Sequence, residues 1–185
     1  MYKLLRCEEG RDKNEMCQWI SDQFQDPFDE VMSFLEELSI NWGMSVKALD
    51  EDGKTVAFLT MSDYRIEEET EKIKVENPRL LEELNKLNYI SGFSFIISPQ
   101  HRNFVLSKQI FKEIMSDLMK YDFVFVPVRH ELKTHNYWKH FGGICFYEDD
   151  ESKFYAIPFN DKVKKIIDTY ANTEKTVPCA EMALS

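Results

Sequence analysis

The sequence predicts an α/β (α+β) fold: a mixed, mostly antiparallel central sheet, with a parallel strand–helix–strand crossover at its centre and helices on both faces. Three observations predict it. Two pairs of short apolar-alternating runs flank acidic turns, the pattern of antiparallel hairpins. Between them, the apolar run Tyr89–Ser98, an amphipathic segment from about 104 to Lys120, and a second apolar run Asp122–Val128 make a crossover, which sets its two strands parallel and right-handed. Helical-period segments stand at both ends of the chain. At 185 residues one domain is expected, over 1–159, followed by a C-terminal helix and a loose tail over 160–185.

In order, residues 2–6 read as a first strand. Residues 12–25 read as a helix, with Met16, Trp19, Ile20 and Phe24 at helical spacing. A second helix is expected to start at Asp26 as N-cap and Pro27 as first helical residue, with Asp29 and Glu30 at the positive end of the dipole. Phe28, Val31, Met32, Leu35 and Leu38 form its apolar stripe, and Gly43 closes the unit. Strands Ser45–Leu49 and Thr55–Met61 flank the turn Asp50-Glu51-Asp52-Gly53. Residues 63–76 are acidic and read as a loop or loose helix, and Asn77-Pro78 opens a short helix bearing Leu80, Leu81, Leu84 and Leu87. Gly92 marks a bulge or kink in Tyr89–Ser98, and Pro99 ends that strand. The long helix buries Leu106, Ile110, Phe111, Ile114, Met115 and Leu118. Asp122–Val128 has the continuous apolar character of a strand covered on both faces. A short helix near 134–141, a stop at Gly142-Gly143, a hairpin of Ile144–Tyr147 with Phe154–Phe159, and a helix over 162–170 complete the chain.

Composition narrows the function classes. With 43% hydrophobic, 14% aromatic and 30% charged residues, the chain has the material for a core. No run approaches the ~20 apolar residues of a membrane span, and the N-terminus lacks a signal-peptide core, so a cytoplasmic protein with no membrane partner is expected. The four cysteines have no CxxC spacing and are expected as free thiols. The net charge of -10 argues against nucleic-acid binding. Residues 1–62 carry 6 basic and 13 acidic side chains, 63–88 carry 5 and 8, and 89–185 carry 12 of each. Within the last part, 99–140 holds 7 basic residues against 4 acids, and all four histidines. An anionic ligand in that basic segment, and a cationic partner near the acidic half, fit this distribution. GxxxxGKS/T, GxGxxG, HExxH, GxSxG and zinc-type Cys/His sets are absent. His130, His135, His140 and Cys145 are five apart, about 140° per step on a helix, so they share no face and no metal site is expected.

The informative stretch is Ile96-Ile97-Ser98-Pro99-Gln100-His101-Arg102-Asn103-Phe104-Val105-Leu106-Ser107-Lys108. A buried strand ends at a proline and a short loop opens a long helix, whose first N–H groups lack partners and carry the positive end of the macrodipole. With Arg102 and Lys108 beside it, that end can cradle phosphate. The stretch resembles the cofactor motif of GNAT acyltransferases, an apolar strand with V-x-P followed by Q/R-x-x-G-x-G/A: Ile97-Ser98-Pro99 matches the first part, Arg102 the leading Q/R, and Val105 and Ser107 stand at the two glycine positions. The element order over most of 1–159 is similar to that family, and Tyr137-Trp138-Lys139-His140-Phe141-Gly142-Gly143 resembles its later Y-x-K-x-G-F segment.

The resemblance implies an acetyltransferase-like protein that passes an acetyl group from acetyl-CoA, with no metal, to a small-molecule or peptide amine by direct attack, as a monomer or homodimer. It implies CoA contacts from Phe95, Ile97, Arg102, Asn103, Phe104, Val105, Leu106, Ser107, Lys108 and Trp138. The N–H groups of Phe95 and Ile97 would serve the thioester and its pantetheine arm. Side chains at Val105 and Ser107 crowd the cradle relative to glycine, and Asn103, where a further glycine is frequent, tolerates an unusual backbone angle. The family's leaving-group acid aligns with Trp138, a donor but no acid, which leaves the adjacent Tyr137 as catalytic candidate. Glu67, Glu68 or Glu69 would supply a base. A non-catalytic acyl-CoA-binding or protein-interaction module of the same fold, or an α/β interaction protein without CoA, are the alternatives.

Overall fold

The computed structural model describes residues 2–132 and 134–171. Cys179 and the tail beyond Ala171 lie outside the described residues. Seven strands form one sheet: β1 (Lys3–Arg6), β2 (Val46–Leu49), β3 (Thr55–Ser62), β4 (Tyr89–Ile97), β5 (Phe123–Arg129), β6 (Ile144–Glu148) and β7 (Ser152–Pro158), in the order β1-β2-β3-β4-β5-β7-β6. Every neighbouring pair is antiparallel except β4/β5, which is parallel. The helices are α1 (Glu9–Phe24), α2 (Phe28–Glu37), α3 (Ile66–Glu69), α4 (Lys72–Glu76), α5 (Pro78–Asn85), α6 (Phe104–Leu118), α7 (His135–His140) and α8 (Asp161–Tyr170).

Side-chain alternation divides the core by faces. Ala57, Leu59 and Met61 of β3 and Val124, Val126 and Val128 of β5 pack beneath α6. The intervening Phe58 meets α1 and α2, and Phe123 and Phe125 meet α5 and α8. Phe58, Phe123, Phe125 and Phe154 are fully buried, each worth roughly 1.5–3 kcal/mol of transfer free energy. Val163 and Ile167 of α8 are buried in the same cluster as Leu80 and Leu84 of α5.

Four local expectations need correction. Helix α1 begins at Glu9, ahead of 12. Asp26 does not cap α2: Gln25 turns left-handed (φ 62), Ser21 Oγ donates to Asp26 O at 2.7 Å, and this ties Asp26 into the α1–α2 turn while α2 opens at Phe28. Residues 63–76 hold two short helices, each fastened by one fully buried isoleucine, Ile66 and Ile73. Met115 lies on the solvent side of α6, 39% exposed.

The sheet is split at its centre. Parallel pairing joins Tyr89–Ser91 to Phe123–Phe125 only; beyond that β4 pairs with β3 through Ile97, and β5 with β7 through Arg129. Both strands carry a local cause. In β4, Thr60 opposes Ser94 and Met61 opposes Gly92, so Phe93 is the extra residue of a bulge, which bends the strand. In β5, His130 N donates to Glu151 O and Phe159 N to Asp122 O, which fixes the even-numbered residues as those bonded to β7. The odd-numbered backbone groups face β4, and at Pro127 that side has no N–H to give.

Candidate active site

A cavity of about 720 Å³ fills the gap between Gly92–Ile97 and Val126–Arg129 and continues on both sides of the sheet. Toward α6 it is lined by Arg102, Asn103, Phe104, Ser107, Tyr137 and Trp138; toward α1–α3 by Phe24, Asp26, Phe34 and Glu69.

On the α6 side, β4 runs into a 3-10 turn at Pro99–His101, and Asn103 caps the helix with its side chain accepting from Leu106 N at 2.8 Å. Ser107 N reaches Asn103 O at 3.4 Å, so the N–H groups of Phe104 and Val105 are left for a ligand. Asn103 is in ordinary extended backbone (φ -143, ψ 154), which replaces the expectation of an unusual angle. The only non-glycine positive φ among the described residues is at Gln25, so this turn needs no glycine. Arg102 Nε donates to Ile97 O at 3.1 Å, and Lys108 Nζ stands 4.5 Å over the Phe104 ring. Three expected contact residues do not line the cavity with their side chains: Val105 is 63% exposed, Leu106 is fully buried in the core, and Lys108 lies on the surface over Phe104. Any contact from Val105 is therefore through its backbone N–H.

Strand alternation orients β4. Ser98 N donates to Val56 O at 2.9 Å, which makes Ser94, Ile96 and Ser98 the residues bonded to β3 and turns the backbone groups of Phe95 and Ile97 into the gap. The Phe95 ring lies 6.0 Å from Tyr137 and 6.4 Å from Trp138.

Helix α7 delivers Tyr137 and Trp138. It ends at Gly142 (φ +82), and Gly143 N donates to Trp138 O at 2.9 Å; a Cβ at Gly143 would sit 2.8 Å from that oxygen. This closure fixes the helix end, where Phe141 packs 4.8 Å from Phe111 of α6 and 4.8 Å from Tyr137. The Tyr137 hydroxyl is buried beside the Ser107 side chain and makes no well-formed hydrogen bond among the described residues. Burial pushes its pKa up to about 12, with Ser107 pulling slightly the other way. Ser107 Oγ donates to Asn103 O at 3.2 Å.

On the other side, the three glutamates of α3 part company. Glu68 accepts from Arg65 N and Glu67 from Asn85 Nδ2, whereas Glu69 has no hydrogen bond or ion pair among the described residues and lines the cavity. Glu69 is reached by solvent but walled in by the cavity, and that surround raises its pKa; Arg129 opposes the rise, and Asp149 and Glu151 add to it. Sequence reasoning missed Phe24, Asp26, Phe34, Phe93, Arg129 and Glu131 as lining residues. The signal available for them was the break in β5 at Pro127 and the extra residue beside Gly92. Among the described residues no three His, Cys, Asp or Glu side chains gather as a metal site, and no helix is long and apolar enough to cross a membrane.

The sheet parts between its parallel central pair, and the N-terminus of α6 stands at the mouth of the split. No protein-family profile and no curated protein sequence matches the chain. Solved structures do. The ribosomal-protein-S18-alanine N-acetyltransferase of Escherichia coli superposes with a TM-score of 0.55 at 12% identity, over 86% of this chain and 95% of that one. An N-acetyltransferase of Staphylococcus aureus Mu50 gives 0.55 at 13%, over 86% and 99%. The PaiA N-acetyltransferase of Thermoplasma acidophilum, solved in complex with coenzyme A, gives 0.54 at 9%, over 86% and 99%. The chain has the GNAT acetyltransferase fold.

Proposed function

We propose that the protein is an N-acyltransferase that moves an acetyl group from acetyl-CoA to a cationic amine. The observation that carries this reading is the continuous cavity through the β4/β5 gap: it joins the open N-terminus of α6, where Tyr137 stands in the wall, to a chamber bearing carboxylates that are unpaired among the described residues. Bound at the site, acetyl-CoA supplies an acyl carbon activated as a thioester. The N–H groups of Phe104 and Val105, with Arg102 and Lys108, hold the pyrophosphate. The backbone of Ile97 pairs with the pantetheine arm, and Phe95 N–H polarises the thioester carbonyl. Phe104, Ser107 and Trp138 wall the arm, and Asn103 and Leu106 fix the helix start. Glu69 takes the ammonium proton, directly or through water, so that the neutral amine attacks the carbonyl carbon. As the C–S bond breaks, Tyr137 gives its proton to the leaving thiolate, and the second proton released by the attacking nitrogen restores the tyrosine through solvent. The charge distribution agrees: Arg102 and Lys108 come from the basic segment, Asp26 and Glu69 from the half that carries the net charge.

One feature favours a second reading, a non-catalytic acyl-CoA-binding module: the Asn103 side chain occupies Leu106 N–H, a donor a phosphate would otherwise use. One measurement tests both readings and a second separates them. CoA at 100 times its Kd should stabilise the fold by ~2.7 kcal/mol under either. Release of free thiol with an amine panel, falling as salt rises, is expected only of the transferase. No thermal shift at millimolar CoA would sink both.

A further inference from the structure

The chamber on the α1–α2 side carries information about the acceptor. Phe93, the extra residue of the β4 bulge, sets its ring 5.6 Å from that of Phe34, which is 42% exposed. Phe24 continues this wall, and Ile20 and Val31 back it. Asp26 and Glu69 line the cavity, and their carboxylates have no hydrogen bond or ion pair among the described residues. Arg129, the cation on this side, is already engaged: it lies 3.8 Å from Glu131 and 5.3 Å from the Phe24 ring centroid.

Resting on the acyl-transfer reading above, we propose that the acceptor is a small primary amine joined by a short chain to an aromatic ring, the ring held among Phe24, Phe34 and Phe93 and the ammonium near Glu69 and Asp26. Offset and edge-to-face ring contacts suit a planar apolar body, and an ammonium gains from both the carboxylates and the ring faces. A polyamine or a sugar-borne amine would set polar groups against the phenylalanines without partners, which is unfavourable. An extended peptide needs main-chain partners, and the backbone exposed in the gap, at Phe95 and Ile97, is the part that serves the thioester arm. The cavity, about 720 Å³ and shared with that arm, is of small-molecule size.

The test compares 2-phenylethylamine, putrescine and a lysine-containing peptide in the thiol-release assay, and measures 2-phenylethylamine binding separately by calorimetry without CoA. The expected kcat/KM for 2-phenylethylamine exceeds the other two by about tenfold or more, the range of discrimination an apolar pocket gives. Phe34→Ala, at a half-exposed position, should raise the KM for 2-phenylethylamine by roughly the same factor and that for putrescine by clearly less, while CoA binding stays as it is; Phe24→Leu repeats the test on the other wall. Faster turnover of putrescine or of the peptide, or an equal response of all acceptors to Phe34→Ala, overturns the proposal and leaves acyl transfer standing. Calorimetric binding of 2-phenylethylamine that Phe34→Ala weakens, without any CoA-induced shift, supports the aromatic chamber and overturns the acyl-transfer reading instead.

Discussion

Replacing Tyr137 by phenylalanine should make the protein more stable and less active, and the two signs together are diagnostic. The hydroxyl is buried beside Ser107 with no well-formed hydrogen bond among the described residues, while Ser107 Oγ spends its proton on Asn103 O. A buried polar atom without a partner costs about 1–3 kcal/mol, so its removal should return about 1 kcal/mol, the lower end, because Ser107 still offers the hydroxyl a polar neighbour. The ring contacts that hold the side chain, with Phe141 at 4.8 Å and Trp138 at 5.3 Å, are kept by phenylalanine. For a domain of this size 1 kcal/mol corresponds to a Tm rise of roughly 2–4 °C. With its pKa held up at about 12, Tyr137 is a proton donor at neutral pH and not a base. Losing that donor should slow thiol release by about 10²–10⁴-fold. Thermal unfolding of the unliganded protein and single-turnover thiol release give both readouts, with CoA affinity as the control and expected unchanged. A lower Tm together with an unchanged rate would show that the hydroxyl is a structural group, and would refute its assignment as the acid.

Three further outcomes are expected. Glu69→Gln should lower kcat/KM by about 10²-fold, whereas Glu67→Gln and Glu68→Gln should not; the base acts ionised and its pKa is raised, so the wild-type rate should fall as pH drops through a value above the ~4.3 of an ordinary glutamate, and the pH–rate profile of Glu69→Gln should lack that limb. Asn103→Gly should cost only a few tenths of a kcal/mol of stability, yet tighten CoA binding in calorimetry, because Leu106 N–H is freed from its cap. Asp12→Asn should cost roughly 3 kcal/mol in urea unfolding, since it leaves Lys47, 10% exposed, with only Glu15 at 3.5 Å in place of a hydrogen-bonded carboxylate. Burial alone would raise the Asp12 pKa, but hydrogen bonds from Arg11, Lys47 and Glu8 N–H outweigh it and hold the carboxyl at about 2. The folded-state pKa is thus depressed, so this stabilisation is present above the unfolded value of ~3.9 and is lost as pH falls toward 2.

Much of the fold is legible because its signals are local. Alternation around Asp50–Gly53 fixes one hairpin, and Asn77-Pro78 opens α5 with Asn77 accepting from Leu80 N. The α2 start was not legible, because Ser21, five positions earlier, holds the backbone carbonyl of Asp26 in the α1–α2 turn, which leaves Asp26 one residue short of the cap position at Pro27. Helices α3 and α4 are four and five residues long, too short for a period to register, and each depends on one isoleucine reaching a core built elsewhere.

The site divides in the same way. Its α6 half lies in one continuous stretch, where Pro99, Arg102 and Asn103 state a strand end, a charge and a cap in sequence order. Its acceptor half is drawn from α1, α2, α3, β4 and β5, and no periodicity links Asp26 to Glu69 or Phe34 to Phe93. What brings them to one cavity is the parting of β4 from β5, and that does have a sequence cause. Pro127 reads as part of the apolar run Phe-Val-Phe-Val-Pro-Val, yet a proline in a central strand is tolerated only where its missing N–H has no ladder to serve. Counting alternation back from β7 puts that missing donor on the β4 side, two residues past the last parallel pair, Ser91 with Phe125. The proline therefore marks where the central pair must open, and the opening is the space in which thioester and amine can meet.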